Sequence, residues 1–398
     1  MWSRNLFEPW GSNAPGSEGG EIMDEDELIM SDGRMASRAV MEWRQSSCRS
    51  VSKPTVDYSS YVRKKWIFII VCAVVTIIAV GWGMCVGATD ITILDAYSTL
   101  WHHIFGNVVH EDWDYTIVEY RLPRVCAGLV AGAGLAVAGC VMQSVLKNPL
   151  ADPYTTGVSS GAGFGATLAI TLGASVGTGS YTIVANAFLF ALIPTFVIVG
   201  VSKLKNASPT VLIMAGIAVM YIFNAMSTVL KLWSDPEALS ALYRWQVGTL
   251  GGIGWSSVEV MLAVTLVGCI VSMVLSRELN LLSTGDENAR ALGINADHMR
   301  IICFIVVALM SAAIVSFTGL IGFVGLVAPH MVRLFIGADN KYLIPASAFF
   351  GSALLVVSDI IGRTIISPTI LQVGVITAFL GGPVFLWLII RKDTKVWG

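Results

Sequence analysis

The chain has 398 residues, of which 55% are hydrophobic and 13% charged, and its mean hydropathy is +0.71. These values exclude an ordinary soluble domain and are typical of a protein with several membrane spans. The formal net charge of −2 gives no reason to expect nucleic acid or another polyanion as a partner.

Residues 1–62 differ in composition from the rest of the chain. Gly, Ser and charged residues are frequent there and no apolar periodicity runs through them, so we expect a disordered extension on the cytoplasmic side. Residues 63–398 are expected to form one membrane domain. The seven cysteines show no C-x-x-C spacing, and we interpret them as small buried side chains, without a metal, a cofactor or a disulfide.

Ten stretches approach the roughly 20 mostly apolar residues that a helix needs to cross the hydrocarbon layer. They predict an all-α membrane protein with about ten transmembrane helices. Gly322 and Pro329 lie in the eighth stretch, where they could break the helix or make it re-entrant. The predicted spans are 66–86, 124–143, 155–173, 181–201, 210–231, 257–276, 299–317, 320–336, 343–361 and 372–390.

Lysine and arginine residues are distributed unevenly among the connecting segments. If the basic cluster at 63–65 lies in the cytoplasm, most of the other basic residues near the span ends lie there too. The positive-inside rule therefore favours an even number of spans with both termini in the cytoplasm. The basic residues that this topology places on the outer side are Arg121, Arg124, Lys231, Arg244 and Arg363.

A short polar stretch interrupts the apolar second half of the chain, between the sixth and seventh predicted spans. Thr284 and Glu287 have the spacing of a capping box, which predicts that a helix begins near Gly285. Gly293 is expected to end this helix in a left-handed conformation. So short a helix must pack on other parts of the chain to be stable. The residues allow two interpretations, a capped connector between spans or a helix that receives force from another protein.

The predicted spans contain almost no Asp, Glu or His, which gradient-driven transporters usually carry in mid-membrane. A gradient-driven transporter is therefore disfavoured, and so is a membrane enzyme or receptor, because no acid–base pair lies near a nucleophile. No P-loop sequence occurs, so the chain is not expected to hydrolyse ATP itself. His102, His103 and His110 share an outer segment, where a solvated surface is favoured over a metal site.

Several motifs resemble the permease subunits of ABC importers for iron-siderophores, haem and cobalamin. In the first half of the chain they are RLPR at 121–124, NPLADP at 148–153 and GVSSGA at 157–162. In the second half they are ALG at 291–293, GLIGFVGLVAPH at 319–330 and GGPVF at 381–385. The resemblance runs from about residue 64 to the C-terminus. It implies a type II ABC importer permease with ten helices in the cytoplasmic (inner) membrane.

The resemblance also implies partners and site residues. Two cytoplasmic ATPase subunits would supply the energy, an extracytoplasmic binding protein would deliver the substrate, and a second permease copy or a paralogue would complete the path. The segment 284–293 is similar to the helix that couples to the ATPase, with Thr284, Glu287, Arg290, Ala291, Leu292 and Gly293. The residues that match binding-protein contacts on the outer face are Arg121, Arg124 and Arg363. Those that match the cytoplasmic gate and the path are Asn148, Leu150, Ser208 and Thr210.

The sequence does not name the substrate. Met214, Met220 and Met226 lie on the fifth predicted span, and such adaptable side chains suit either a wide path or ordinary helix packing. Because ferric siderophores are a frequent cargo in this family, a ferric siderophore is the expected substrate, with haem and cobalamin as the alternatives.

Overall fold

The computed structural model describes residues 58–87, 91–106, 108–174, 181–205, 208–366 and 369–390. The expected N-terminal extension lies outside the described residues up to residue 57. All regular structure within the described ranges is helical. The α-helices are α1 Tyr58–Cys85, α2 Ile93–Ile104, α3 Glu111–Tyr115, α4 Leu122–Leu146, α5 Val158–Leu172, α6 Thr182–Lys205, α7 Pro209–Leu232, α8 Pro236–Gln246, α9 Trp255–Val274, α10 Ser276–Ser283, α11 Asp286–Ala291, α12 Ala296–Thr318, α13 Val324–Ile336, α14 Asn340–Thr364 and α15 Val373–Ile390. A π-helical turn, Thr116–Arg121, leads into α4, and a 3-10 turn, Pro153–Thr156, leads into α5.

The prediction of about ten apolar helices is confirmed. Within the described residues, seven helices are long and apolar enough to cross a membrane: α1, α4 together with the turns before it, α6, α7, α9, α12 and α14. Three shorter apolar helices, α5, α13 and α15, account for the other predicted spans. The remaining helices are short connectors, and α11 is the one that falls in the polar stretch between the sixth and seventh spans.

Helix α4 lies at the centre of the bundle, and most of its residues are buried. It packs against α9, α12, α13 and α14. A Cβ at Gly132 would overlap the backbone of Gly351 on α14, and a Cβ at Gly139 would overlap the backbone of Gly325 on α13. Small residues therefore bring three helices into backbone contact, as expected where no hydrophobic force drives association in lipid.

Helix α13, which corresponds to the eighth predicted span, begins later in the chain than predicted. Gly319 and Phe323 both have positive φ, and α13 begins only at Val324. A Cβ at Gly319 would overlap the carbonyl oxygen of Trp245, so the close approach of α8 requires glycine here. Pro329 lies inside α13 and does not end it. The chain is therefore irregular before α13 and is not broken within it.

Candidate functional site

Helix α11 is the short helix predicted in the polar stretch, and its two ends differ in how well the sequence predicted them. The capping box is wrong: the Thr284 hydroxyl donates to the carbonyl of Leu281 at 2.8 Å, and Gly285 occupies the N-cap without a side-chain hydrogen bond. The reason is that α10 ends directly before Gly285, so the threonine bonds to a terminal carbonyl of α10. Gly293 does end the helix with φ +84°, and its N–H donates to Arg290 while Ile294 donates to Ala289.

Asp286, the first residue of α11, joins three parts of the chain. Its carboxylate accepts hydrogen bonds from Lys147 Nζ and from Arg300 Nη2, both at 2.6 Å. Lys147 is the left-handed residue that ends α4, and Arg300 lies in the first turns of α12 and is 1% exposed. Burial by itself raises the pKa of Asp286, but the bonds from Arg300 and Lys147 outweigh it and lower the pKa to about 2. We call this group the Asp286 clamp.

The other residues of the predicted coupling segment lie on the surface. Ala289 is fully buried beneath the helix, whereas Glu287, Arg290 and Ala291 are exposed. Leu292 is 64% exposed, which leaves a large apolar side chain at the tip of the segment. Arg290 reaches Asp297 at 3.1 Å in a solvent-exposed ion pair. The segment is therefore held at one face and presents a mixed charged and apolar surface on the other.

The loop between α4 and α5 contains two of the predicted gate residues. The Asn148 side chain accepts a hydrogen bond from the Leu150 N–H at 2.9 Å, and Leu150 is 47% exposed. Asp152 caps the 3-10 turn through the N–H of Tyr154 at 2.9 Å, and burial raises its pKa to about 6. A Cβ added at Gly157 would lie 3.2 Å from the carbonyl oxygen of Gly216, so the loop packs against the first half of α7.

The other two predicted gate residues begin α7. Ser208 is its N-cap residue but makes no side-chain cap bond, and both Ser208 and Thr210 are exposed. Within the described residues, no hydrogen bond joins either of them to Asn148 or Leu150. Asn148 is half-buried, whereas the other three residues are exposed. The role of these residues in a gate stays a prediction.

At the opposite end of the bundle, the three predicted docking arginines lie together around one carboxylate and the last turn of α1. Arg124 binds Asp359 through two nitrogens at 2.8 and 3.0 Å, and Arg363 Nε lies 3.0 Å from the same carboxylate. Arg363 also donates to the carbonyl of Gly83 at 2.9 Å, and Arg121 donates to the carbonyl of Cys85 at 2.8 Å. We call this group the Asp359 clamp.

Burial distinguishes these arginines from free surface charges. Arg121 is 5% and Arg363 is 8% exposed, and the Asp359 side chain is 2% exposed. The three arginines lie at one end of the bundle, where they are bonded inside the chain. Their contact with a binding protein stays a prediction.

The histidine-rich outer segment has no metal-binding arrangement in the part of the chain that the structure describes. His103 Nδ1 lies 2.9 Å from Asp114, and His102 Nδ1 lies 2.7 Å from the carbonyl oxygen of Ser98. Among the described residues, no three His, Cys, Asp or Glu side chains are placed to share a metal ion.

Sequence reasoning missed Asp286, Lys147 and Arg300 as one group, because they are far apart in the chain. In the sequence, Lys147 and Arg300 are recognisable only as basic residues near span ends. The motif NPLADP directly follows Lys147 and marks this end of α4, but it does not identify the partners of Lys147.

Comparison with known proteins gives one consistent result. The family model of the FecCD transport family matches residues 72–391. The cobalamin import system permease protein BtuC of Halobacterium salinarum is 41% identical over 276 residues, which cover 69% of this chain and 73% of that protein. The hemin transport system permease protein HmuU of Yersinia pestis is 36% identical over 299 residues, which cover 75% of this chain and 88% of that protein.

The fold agrees with a solved transporter structure. A protein described as a metal-chelate type ABC transporter, in an inward-facing conformation, superposes with a TM-score of 0.72 at 26% sequence identity. The match covers 81% of this chain and 98% of the solved one.

Proposed function

The chain belongs to the FecCD transport family and is the permease subunit of an ABC importer for metal chelates. We propose that the cargo of this importer is a ferric siderophore. A ferric siderophore is the cargo proposed because such chelates are frequent substrates in this family. Haem and cobalamin, which the names of the two relatives give as their substrates, are the competing cargoes. Family membership rules out the gradient-driven transporter and the membrane enzyme as descriptions of this chain.

We further propose that one of the importer's two ATPase subunits docks on the segment 284–293 of this chain. The observation that supports this role is that the segment is fixed and exposed at once: the Asp286 clamp holds it, while Leu292 is 64% exposed. A helix that is bonded to both α4 and α12 can transmit displacement into the bundle, whereas a free loop would absorb it. An exposed leucine on such a helix suits an apolar groove on a partner.

The assembly around this chain is part of the same proposal. An extracytoplasmic binding protein would contact the end of the bundle that carries Arg121, Arg124 and Arg363. Because these arginines are bonded to Asp359 and to carbonyls of α1, acidic groups of the binding protein would have to replace those bonds. A second permease copy or a paralogue would face this chain, and Asn148, Leu150, Ser208 and Thr210 would close the path on the α11 side.

The docking proposal is tested by purifying the tagged chain from its host in mild detergent and identifying the proteins that co-purify. We expect an ATPase in roughly equal amount. It should be lost when residues 284–293 are replaced by a Gly/Ser linker and strongly reduced by Leu292→Asp. Leu292→Met is the matched control, because it keeps an apolar side chain of similar size, and it should retain the ATPase. Equal recovery of the ATPase with all four proteins would overturn the proposal.

The cargo is tested by uptake in a host that lacks its own importers for iron chelates, haem and cobalamin. The complete system should import radiolabelled ferric siderophore in an ATP-dependent manner. Uptake of haem or cobalamin without uptake of any ferric chelate would replace the proposed cargo and leave the permease assignment intact.

A further inference from the structure

A polar pocket of about 210 Å³ lies in an otherwise apolar part of the bundle. It is bounded by the first half of α5, the second half of α7, the end of α8 and the turn before α13. Its polar lining residues are Ser159, Ser160, Asn224, Ser227, Thr228, Lys231 and Gln246. None of the site residues discussed above belongs to this pocket.

Four polar residues of α7 form one stripe that faces the pocket. Asn224, Ser227, Thr228 and Lys231 follow one another at positions i, i+3, i+4 and i+7, which is one face of a helix. Helix α7 is long and apolar enough to span a membrane, yet Asn224 and Thr228 are exposed in this chain. Polar side chains within a span face protein or a water-filled cavity, because lipid cannot satisfy them. The stripe therefore faces the pocket rather than lipid.

The stripe leaves hydrogen-bonding capacity unused. The hydroxyls of Ser227 and Thr228 donate to carbonyls one turn earlier in α7, both at 2.8 Å. The Asn224 amide, the Lys231 ammonium and the Gln246 amide have no hydrogen-bond partner among the described residues. Three groups that can donate hydrogen bonds are therefore available in the pocket.

The charge carried by the described lining of the pocket is positive. Lys231 is the charged residue of its described lining, and no carboxylate contributes to it. Ser159 and Ser160 lie in the first turn of α5, where the aligned peptide dipoles add partial positive charge. A cation surrounded by hydroxyl and amide donors prefers an oxyanion.

The pocket lies away from the ATPase-docking segment. A Cβ added at Gly216 would lie 2.9 Å from the carbonyl oxygen of Thr155, so α7 begins at the Lys147 end of α4 and runs towards the opposite end. The Lys231 end of the pocket is therefore at the end of α7 opposite the Asp286 clamp. This is the side from which an imported chelate would enter.

We propose that this pocket is a subsite for a carboxylate group of the metal chelate on its way through the permease. Lys231 supplies the charge, and Asn224, Gln246 and the serine pair of α5 supply hydrogen bonds. The inference rests on the proposed transport function and deepens it, because it assigns an anionic, oxygen-rich chelate as the preferred substrate class.

The first test measures the local potential without any transport. Thr228→Cys in the intact importer is labelled with a negatively charged and a positively charged methanethiosulfonate reagent, and the unsubstituted protein supplies the background from native cysteines. The negative reagent should react faster, and Lys231→Met should lower the ratio of the two rates by about tenfold, as expected for removing one charge at a few ångströms. Lys231→Arg is the matched control and should preserve the ratio. A cysteine that is not labelled, or a ratio that Lys231→Met leaves unchanged, would overturn the pocket assignment.

The second test separates the pocket from the cargo proposal. In vesicles that contain the complete importer, Lys231→Met should raise the KM for ferric citrate severalfold and leave the KM for an uncharged ferric trihydroxamate unchanged. Ferric uptake with equal effects on both chelates would defeat the carboxylate subsite and leave the iron cargo standing. An anion preference in the labelling test, without uptake of any ferric chelate, would defeat the iron cargo instead.

Discussion

The two ends of helix α4 are held by the same chemistry in different surroundings. At one end, Lys147 and a buried arginine of α12 bind Asp286, whose side chain is 30% exposed. At the other end, Arg124 and a buried arginine of α14 bind Asp359, whose side chain is 2% exposed. The exposed clamp carries a helix that can meet a partner, whereas the buried clamp ties α1, α4 and α14 together. The comparison teaches that one arrangement, a carboxylate between two cations, can hold an exposed helix at one end of α4 and tie buried helices together at the other.

The largest expected effect comes from breaking the buried clamp. Asp359→Asn would leave Arg124 and Arg363 buried without a counter-charge, and removing one partner of a buried ion pair typically costs about 3–5 kcal/mol. Thermal unfolding in detergent should show a large fall in melting temperature, and the amount of inserted protein should drop. The double variant Asp359→Leu/Arg124→Leu should be less destabilised than Asp359→Leu alone. A single variant as stable as the wild type would show that the pair contributes no cohesion.

A smaller loss of stability is expected from the exposed clamp. Asp286→Asn removes the charge but keeps the size of the side chain, and we expect about 1–2 kcal/mol of destabilisation, because solvent partly screens this site. Binding of the ATPase should fall more than stability does, since α11 loses its bonds to α4 and α12. Glu237→Gln, at an exposed position on α8 outside the segment 284–293, is the control and should change neither property. Full ATPase binding by Asp286→Asn would argue that the clamp does not position the helix.

The exposed clamp also predicts a pH dependence with a definite sign. The pKa of Asp286 is lowered to about 2 from an ordinary value of 3.8, so its contribution is fully present above about pH 4 and is lost as the pH falls towards 2. The difference in unfolding free energy between the wild type and Asp286→Asn should be constant from pH 8 to pH 5 and should shrink between pH 4 and pH 2. A difference that already disappears between pH 7 and pH 5 would contradict this assignment.

The smallest effect on stability is expected at the surface of the docking segment. The pair of Arg290 and Asp297 is exposed, and such pairs contribute within about 0.5 kcal/mol. Arg290→Glu should therefore leave the melting temperature almost unchanged but reduce ATP-driven uptake, if this face meets the ATPase. Arg290→Lys keeps the charge and should retain uptake. Normal coupled uptake by Arg290→Glu would remove this residue from the proposed interface.

Much of the helix pattern could be predicted because it depends on local properties of the chain. Runs of about 20 apolar residues located the long spans, and the predicted left-handed end at Gly293 is present in α11. The capping box failed for an equally local reason, since Thr284 had a competing carbonyl in α10 that sequence spacing does not reveal. Short helices are the hardest to delimit, because their ends depend on the elements beside them.

The sequence alone determined that this is a polytopic helical membrane protein with about ten apolar helices, and its motifs indicated the family of ABC importer permeases. Tertiary structure decided which charges meet. Lys147 and Asp286 are 139 positions apart, and Arg124 and Asp359 are 235 positions apart. Helix formation follows from neighbouring residues, but an ion pair in the bundle depends on how distant helices pack. The clamps at the two ends of α4 and the polar pocket beside α7 became visible only when the packed helices brought these side chains together.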